Sequence, residues 1–285
     1  MDLLPVRHLR EPFIALQGEI DQVCTPEKTR AFIAEVPKAE VVMLPGVGHG
    51  YSVERNWLPQ YTATFARLAA MARKETPPPP KDISDLPVIE VAAQGKASDA
   101  FAILMSGDGG WAGLDKGIAA TLSARGVTVI GVDSLRYFWT PRDPEGLAHD
   151  IDRLIRYYSQ HLDKKRVLLL GYSQGANVLP FALNRLPESS RRLVALVVPM
   201  GLQEKADFEF HLTNWVGASS GLPIQPEIDK ITGPKQLLCI RGEDEEQSLC
   251  AKLDAQRYRV MVLSGGHHFN EAYDRLAELI VGASQ

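Results

Sequence analysis

The sequence predicts an α/β protein built on a doubly wound, mostly parallel sheet, and three observations carry that expectation. Past residue 85, short apolar runs without polar alternation recur: FAILM (101–105), VTVIGV (127–132), RVLLL (166–170), LVALVV (193–198), QLLCI (236–240) and VMVL (260–263). Runs of this length and uniformity suit strands buried on both faces of a parallel sheet. Segments of helical spacing lie between them, and strand–helix alternation is the signature of α/β layers joined by right-handed crossovers. The third observation is that the chain, at 285 residues with 45% hydrophobic residues, can bury one large core and carry an appendage.

The elements follow in order. The stretch KETPPPPKDISD at 74–85 is expected to be a linker, because four consecutive prolines remove amide donors and favour an extended backbone. In DPEGLAHDIDRLIRYYSQ, Asp143 is placed to cap a helix whose first position is Pro144. QGANVLPFALNRL, after the run at 166–170, is a second helix. Two distant segments resemble each other: PFIALQGEIDQVC followed by VVMLPGVGHGYS, and PKQLLCIRGEDEEQSLC followed by VMVLSGGHHFNE. In both, a strand ends in Gly-Glu with an acid close behind, and the next strand ends in glycines and a histidine. Asp21 and His49 thereby parallel an acid near Glu245 and His267.

Composition excludes several classes. A net charge of -4 with no lysine and arginine cluster gives no basic stripe for a nucleic acid. No apolar run approaches the roughly 20 residues of a membrane span, and MDLLPVRHLREP lacks the charged start and apolar block of an export signal. Cys24, Cys239 and Cys250 have no paired spacing for a metal, so neither metal nor cofactor is expected. Cys239 and Cys250 are placed either to form a disulfide or to remain as two thiols.

The chemistry gathers at GYSQG. Ser173 follows a strand and precedes a helix, the context of a nucleophile elbow, and Gly171 and Gly175 permit the tight turn. A serine hydroxyl needs a base, and the base needs a carboxylate to hold its tautomer. SGGHHF offers His267 and His268, of which His267 is preferred because His49 likewise follows a glycine; His8, His149, His161 and His211 read as surface or core residues. GEDEEQ offers four carboxylates at 243–246. Glu245 stands at the offset from its glycine that Asp21 occupies, with Asp244 as the alternative acid and Glu246 also open. Acyl transfer further needs an oxyanion hole. The amide of Gln174 should supply one donor, and Asp108, in the glycine loop SGDGGW, the other. Serine, acid, histidine is the order of the α/β-hydrolases. The expected organisation is therefore a partial α/β-hydrolase-like segment at 1–73, the C-terminal quarter of a first copy; a linker at 74–85; and an α/β-hydrolase domain at 86–285.

With SGDGGW, GYSQGANVLP and the GEDEEQSLC and GGHHF ending together, residues from about 86 to 283 resemble the VirJ/AcvB family of bacterial proteins exported to the periplasm. AcvB-like members carry an additional segment ahead of the VirJ-like domain, which is similar to the layout here. The resemblance implies a periplasmic serine hydrolase with Ser173, His267 and the acid near Glu245 as its triad. The implied substrate is lysyl- or alanyl-phosphatidylglycerol at the inner membrane surface. The family also includes a member associated with type IV secretion, so a secretion-associated binding protein is the alternative, and a general carboxylesterase is another. Trp111, Tyr137, Phe138, Trp139, Phe208, Phe210 and Trp215 fall in segments expected above the site, where rings suit a membrane interface or an acyl-bearing substrate, or equally the packing of the core and of a lid formed from 200–233. Asp108 or Asp133 is a candidate to receive the substrate's ammonium group.

Overall fold

The structure, a computed structural model, describes residues 12–75, 83–209, 221–231 and 236–284. The chain divides into two compact units, Met1–Pro78 and Pro79–Gln285, and the division falls inside the run of prolines. In the first unit, β1 (Phe13–Gly18), α1 (Pro26–Ala34) and β2 (Ala39–Leu44) form one strand–helix–strand crossover, followed by α2 (Leu58–Glu75). The two strands are parallel, with Phe13 opposite Ala39 and Gly18 opposite Leu44. The helix α2 takes in Lys74 and Glu75, which the sequence reading gave to the linker. Both are good helix formers, and the constraint against helix begins only at the residue before Pro77.

The second unit is a seven-stranded sheet. Its strands are β3 (Val88–Val91), β4 (Ala100–Met105), β5 (Thr128–Val132), β6 (Arg166–Tyr172), β7 (Val194–Met200), β10 (Leu238–Gly242) and β11 (Arg259–Leu263). The helices α3 (Gly113–Ala124), α4 (Ser134–Tyr137), α5 (Pro144–His161), α6 (Gln174–Arg185), α7 (Glu188–Arg191), α8 (Gln225–Asp229) and α9 (Tyr273–Ser284), with the short antiparallel pair β8 (Lys205–Ala206) and β9 (Leu222–Pro223), complete it. The sheet order is β11-β10-β7-β6-β4-β5-β3. All neighbours are parallel except β3, which runs antiparallel to β5 with Val88 opposite Val132. Each of the six apolar runs is one of these strands, shifted by at most two residues. The edge strand β3, whose sequence VIEV is only partly buried and carries Glu90, had no run to announce it.

The absence of alternation in the runs has a direct cause. Along β4, Phe101, Ile103 and Met105 enter one buried cluster, and Ala102 and Leu104 enter another on the opposite face. Leu147, Ile151, Leu154 and Ile155 of α5 and Val178 and Leu179 of α6 close the first cluster. Leu114, Ile118 and Leu122 of α3 and Leu276 and Ile280 of α9 close the second. Each such side chain contributes roughly 1.5–3 kcal/mol of transfer free energy, which holds the strands in register under the site. Asp143 caps α5 as expected, its Oδ1 accepting from the Gly146 amide at 2.6 Å.

Two alternatives that the sequence leaves open are decided in this unit. Tyr137 and Phe138 are fully buried, Tyr137 donating to Asp150 Oδ2 at 2.7 Å, and Phe208 packs edge-on against Phe138 and Phe181. These rings are core: all three belong to the buried cluster that Leu147 and Ile151 of α5 and Phe181 of α6 close. Trp111 lies against Gly131 of β5, whereas Trp139 is exposed. Phe210 and Trp215, and with them the middle of the 200–233 stretch, lie outside the described residues. Cys239 and Cys250 form a disulfide with their Cα atoms 5.6 Å apart, and Cys24 is a free, exposed thiol. No described helix is long and apolar enough to cross a membrane.

Candidate active site

The site begins where β6 turns into α6. Ser173 stands between them at φ 52, ψ -116, in the left-handed half of backbone space that a side chain rarely occupies. Surrounding structure fixes it there: the Ser173 amide donates to the Met200 carbonyl at 2.9 Å, and the Gly175 amide to the Ser106 carbonyl at 3.1 Å. A Cβ on Gly175 would lie 2.2 Å from the Met105 carbonyl oxygen, and one on Gly171 2.6 Å from the Gly175 backbone. Only glycine lets β6, β4 and α6 approach this closely. The amide of Gln174 opens α6 and has no intrahelical acceptor, which leaves it available to a ligand.

The acid and the histidine come from neighbouring strand ends. After β10, Glu245 turns back so that its Oε2 accepts the Gly242 amide at 2.7 Å, and its Oε1 lies 2.5 Å from His267 Nδ1. Burial pushes the Glu245 carboxyl up, yet the bonds from His267 and the Gly242 amide outweigh it and hold the group below the usual carboxylate range. It is therefore ionised beside the imidazole. Of the four carboxylates in GEDEEQ, the structure brings Glu245 to the histidine. Asp244 and Glu246 are exposed. Between the two histidines, His268 is committed elsewhere, its Nδ1 2.9 Å from the Tyr172 hydroxyl.

Ser173, His267 and Asp108 line one cleft of about 480 Å³ at the carboxyl ends of the strands, where open α/β sheets place their sites. Within it Ser173 is buried except for 8% of its surface. Asp133, one candidate for a substrate ammonium, is instead the cap of α4, its Oδ1 accepting the Arg136 amide at 3.1 Å. The sequence reading passed over Gly201, at the end of β7. With φ +69, it leaves room for the imidazole: a Cβ there would meet His267 Cε1 at 2.6 Å. Tyr172 was also missed, although it adjoins Ser173; its ring centroid lies 5.1 Å from that of His267. Asp115 lines the cleft as well. The only sequence signal for it was an acid just beyond a glycine loop.

The first unit repeats part of this geometry. Glu19, Ile20 and Asp21 donate their amides to Leu44, Val47 and Gly18, as Glu243, Asp244 and Glu245 do to Leu263, Gly265 and Gly242. The result is again an acid–histidine pair, with His49 Nδ1 3.1 Å from Asp21 Oδ2. No strand–serine–helix turn accompanies it among the described residues of that unit. The fold also brings Cys24 to this pair, the three ligating atoms lying within 4.8 Å of one another, a grouping that cysteine spacing alone did not reveal.

The family model described as bacterial virulence protein (VirJ) matches residues 99–285. The chain belongs to the VirJ family. The matched span holds every residue of the cleft, and the first unit lies before it. Among solved structures, the VirJ-family chain is similar to Est1E from Butyrivibrio proteoclasticus with bound ferulic acid, at 14% identity, 68% of this chain and 92% of that one, TM-score 0.50. MenH from S. aureus is similar at 14% identity, 69% and 97% coverage and TM-score 0.50. At such identity the likeness speaks for the fold, an α/β-hydrolase fold, and for nothing finer. No curated protein matches the sequence.

Proposed function

We propose that this VirJ-family chain is a serine hydrolase that removes the lysyl or alanyl group from aminoacyl-phosphatidylglycerol through an acyl-enzyme. One observation carries the hydrolase reading: a strained serine and a histidine lie in a single cleft, the histidine bonded through Nδ1 to a half-buried, ionised Glu245. With Nδ1 so engaged, Nε2 of His267 is the nitrogen left to take the Ser173 proton. The serine oxygen then adds to the ester carbonyl, and the amides of Gln174 and Asp108 receive the negative charge. His267 returns the proton to the departing glycerol oxygen. Water repeats the sequence on the acyl-enzyme and frees the amino acid.

The lipid substrate rests on the family resemblance, and a periplasmic site of action on the same resemblance together with the Cys239–Cys250 disulfide, which suits an oxidising compartment. The test is release of lysine or alanine from vesicles containing the aminoacyl lipid, beside turnover of soluble short-chain esters. The proposal expects amino-acid release with little turnover of the short esters. Fast turnover of those esters with no release from vesicles would make the chain a general carboxylesterase. A chain that releases nothing and resists serine-directed fluorophosphonates would be a binding module of secretion-system proteins.

A further inference from the structure

The cleft holds a carboxylate for which the triad has no use. Asp115, in the first turn of α3, is 3% exposed and lines the same cleft as Ser173. Its Oδ1 is enclosed and has no hydrogen-bond partner. Backbone amides, those of Ala112 and Gly107 among them, bond the carboxyl, yet a buried carboxylate oxygen left without a partner is costly, and such atoms normally persist where something pairs with them. Among the described residues no lysine or arginine does so: the lining includes Asp108, Asp115 and Glu271 but neither of those cations. The Tyr172 hydroxyl on the cleft wall is engaged by His268 Nδ1 at 2.9 Å. Burial is the main cause that pushes the Asp115 carboxyl up to about 7, opposed by the Ala112 and Gly107 amides and reinforced by Asp133. An arriving cation would reverse that cause by pairing with the ionised form. The amide of Ala112, the N-cap residue of α3, bonds the Asp115 carboxyl, so capping accounts for part of the group and leaves Oδ1 over.

We propose that Asp115 binds a primary ammonium group on the acyl part of the substrate and so makes the cleft selective for aminoacyl over neutral acyl groups. This assignment rests on the hydrolase reading and refines it. It replaces Asp133, which is spent as a helix cap, and it concerns substrate recognition, since the proton transfers belong to His267.

The test compares two phosphonylating reagents of one shape, diphenyl 1-aminoethylphosphonate and its N-acetyl derivative, by the rate at which each modifies Ser173. The wild-type chain is expected to react at least about tenfold faster with the free amine, the size of one charge-assisted contact. In Asp115→Asn that ratio falls to about one. The N-acetyl reagent, which has no charge to lose, keeps its wild-type rate and reports that the cleft is intact. Equal rates for the two reagents in the wild type would overturn the proposal and leave the serine reading standing, whatever the variant does. An undiminished ratio in Asp115→Asn would overturn it too. If neither reagent modifies wild-type Ser173, the hydrolase reading fails and the assignment falls with it.

Discussion

Replacing Glu245 by glutamine tests the choice of acid with almost no change of shape. In the structure Oε1 faces His267 Nδ1 at 2.5 Å and Oε2 accepts the Gly242 amide at 2.7 Å, so both oxygens act as acceptors. Glutamine has one acceptor and one donor group. If its oxygen stays on Gly242, its NH2 faces Nδ1 and drives the imidazole proton to Nε2, the nitrogen that must accept from Ser173. If the amide is flipped, NH2 meets the Gly242 N–H donor to donor. Either way the ion pair with the imidazolium is lost. A loss of about a thousand- to ten-thousand-fold in turnover is expected, equivalent to about 4–5.5 kcal/mol of barrier. The assay is the second-order rate of Ser173 labelling by a neutral fluorophosphonate, read by intact mass, with amino-acid release from vesicles alongside. Asp244→Asn and Glu246→Gln, at exposed positions, should stay within about threefold of wild type, the usual reach of surface changes. A Glu245→Gln chain that labels at the wild-type rate, or an equal collapse in Asp244→Asn, would refute the assignment.

Other expectations follow from single contacts. Gly201→Ala sets a Cβ 2.6 Å from His267 Cε1 at φ +69, so the imidazole must shift. Turnover should fall about a hundredfold, the cost of a displacement on the order of 1 Å, while the disulfide and the far-UV spectrum stay unchanged. Opening the Cys239–Cys250 bond, which closes a loop of sequence separation 11, should cost about 3 kcal/mol in denaturant unfolding. Asp115 gives stability a pH dependence of known sign. Its folded-state carboxyl sits at about 7 against 3.8 ordinarily, so the folded chain holds a proton that the unfolded chain releases. Stability should therefore fall as pH rises from about 4 to about 7, by at most about 4 kcal/mol, and the fall should be absent from Asp115→Asn. Parallel stability curves for the two chains would contradict that account.

How much of this was legible in the sequence depended on whether neighbours in the chain sufficed. The central strands were, because burial on both faces leaves no polar residue in runs such as FAILM and LVALVV. The edge strand β3 and helix α3 were not, since one is half-exposed and the other lacks a side-chain cap. Gly171 and Gly175 announced the turn at Ser173, as their closeness to the backbone of neighbouring elements requires. The offset from Gly242 singled out Glu245 among four adjacent carboxylates, because the turn after β10 repeats the one after β1. Gly201, Tyr172 and Asp115 carried no such mark. What distinguishes Gly201 and Tyr172 is a contact across the sheet ends, with residues about 66 and 96 positions away in the chain, and Asp115 shares a cleft with a serine about 58 positions away; no local pattern encodes that. The rings of Tyr137, Phe138 and Phe208 were left open between substrate contact and core packing for the same reason: an aromatic after a strand looks alike whether it turns toward the cleft or the core.

The most direct test of the central claim is the release of lysine or alanine from aminoacyl-phosphatidylglycerol vesicles by the wild-type chain and by Ser173→Ala, with thermal unfolding of both measured in the same buffer. The account predicts release by the wild type and, in the variant, a rate no greater than that of vesicles alone, with matching unfolding curves. Release that persists undiminished in a folded Ser173→Ala chain would contradict it.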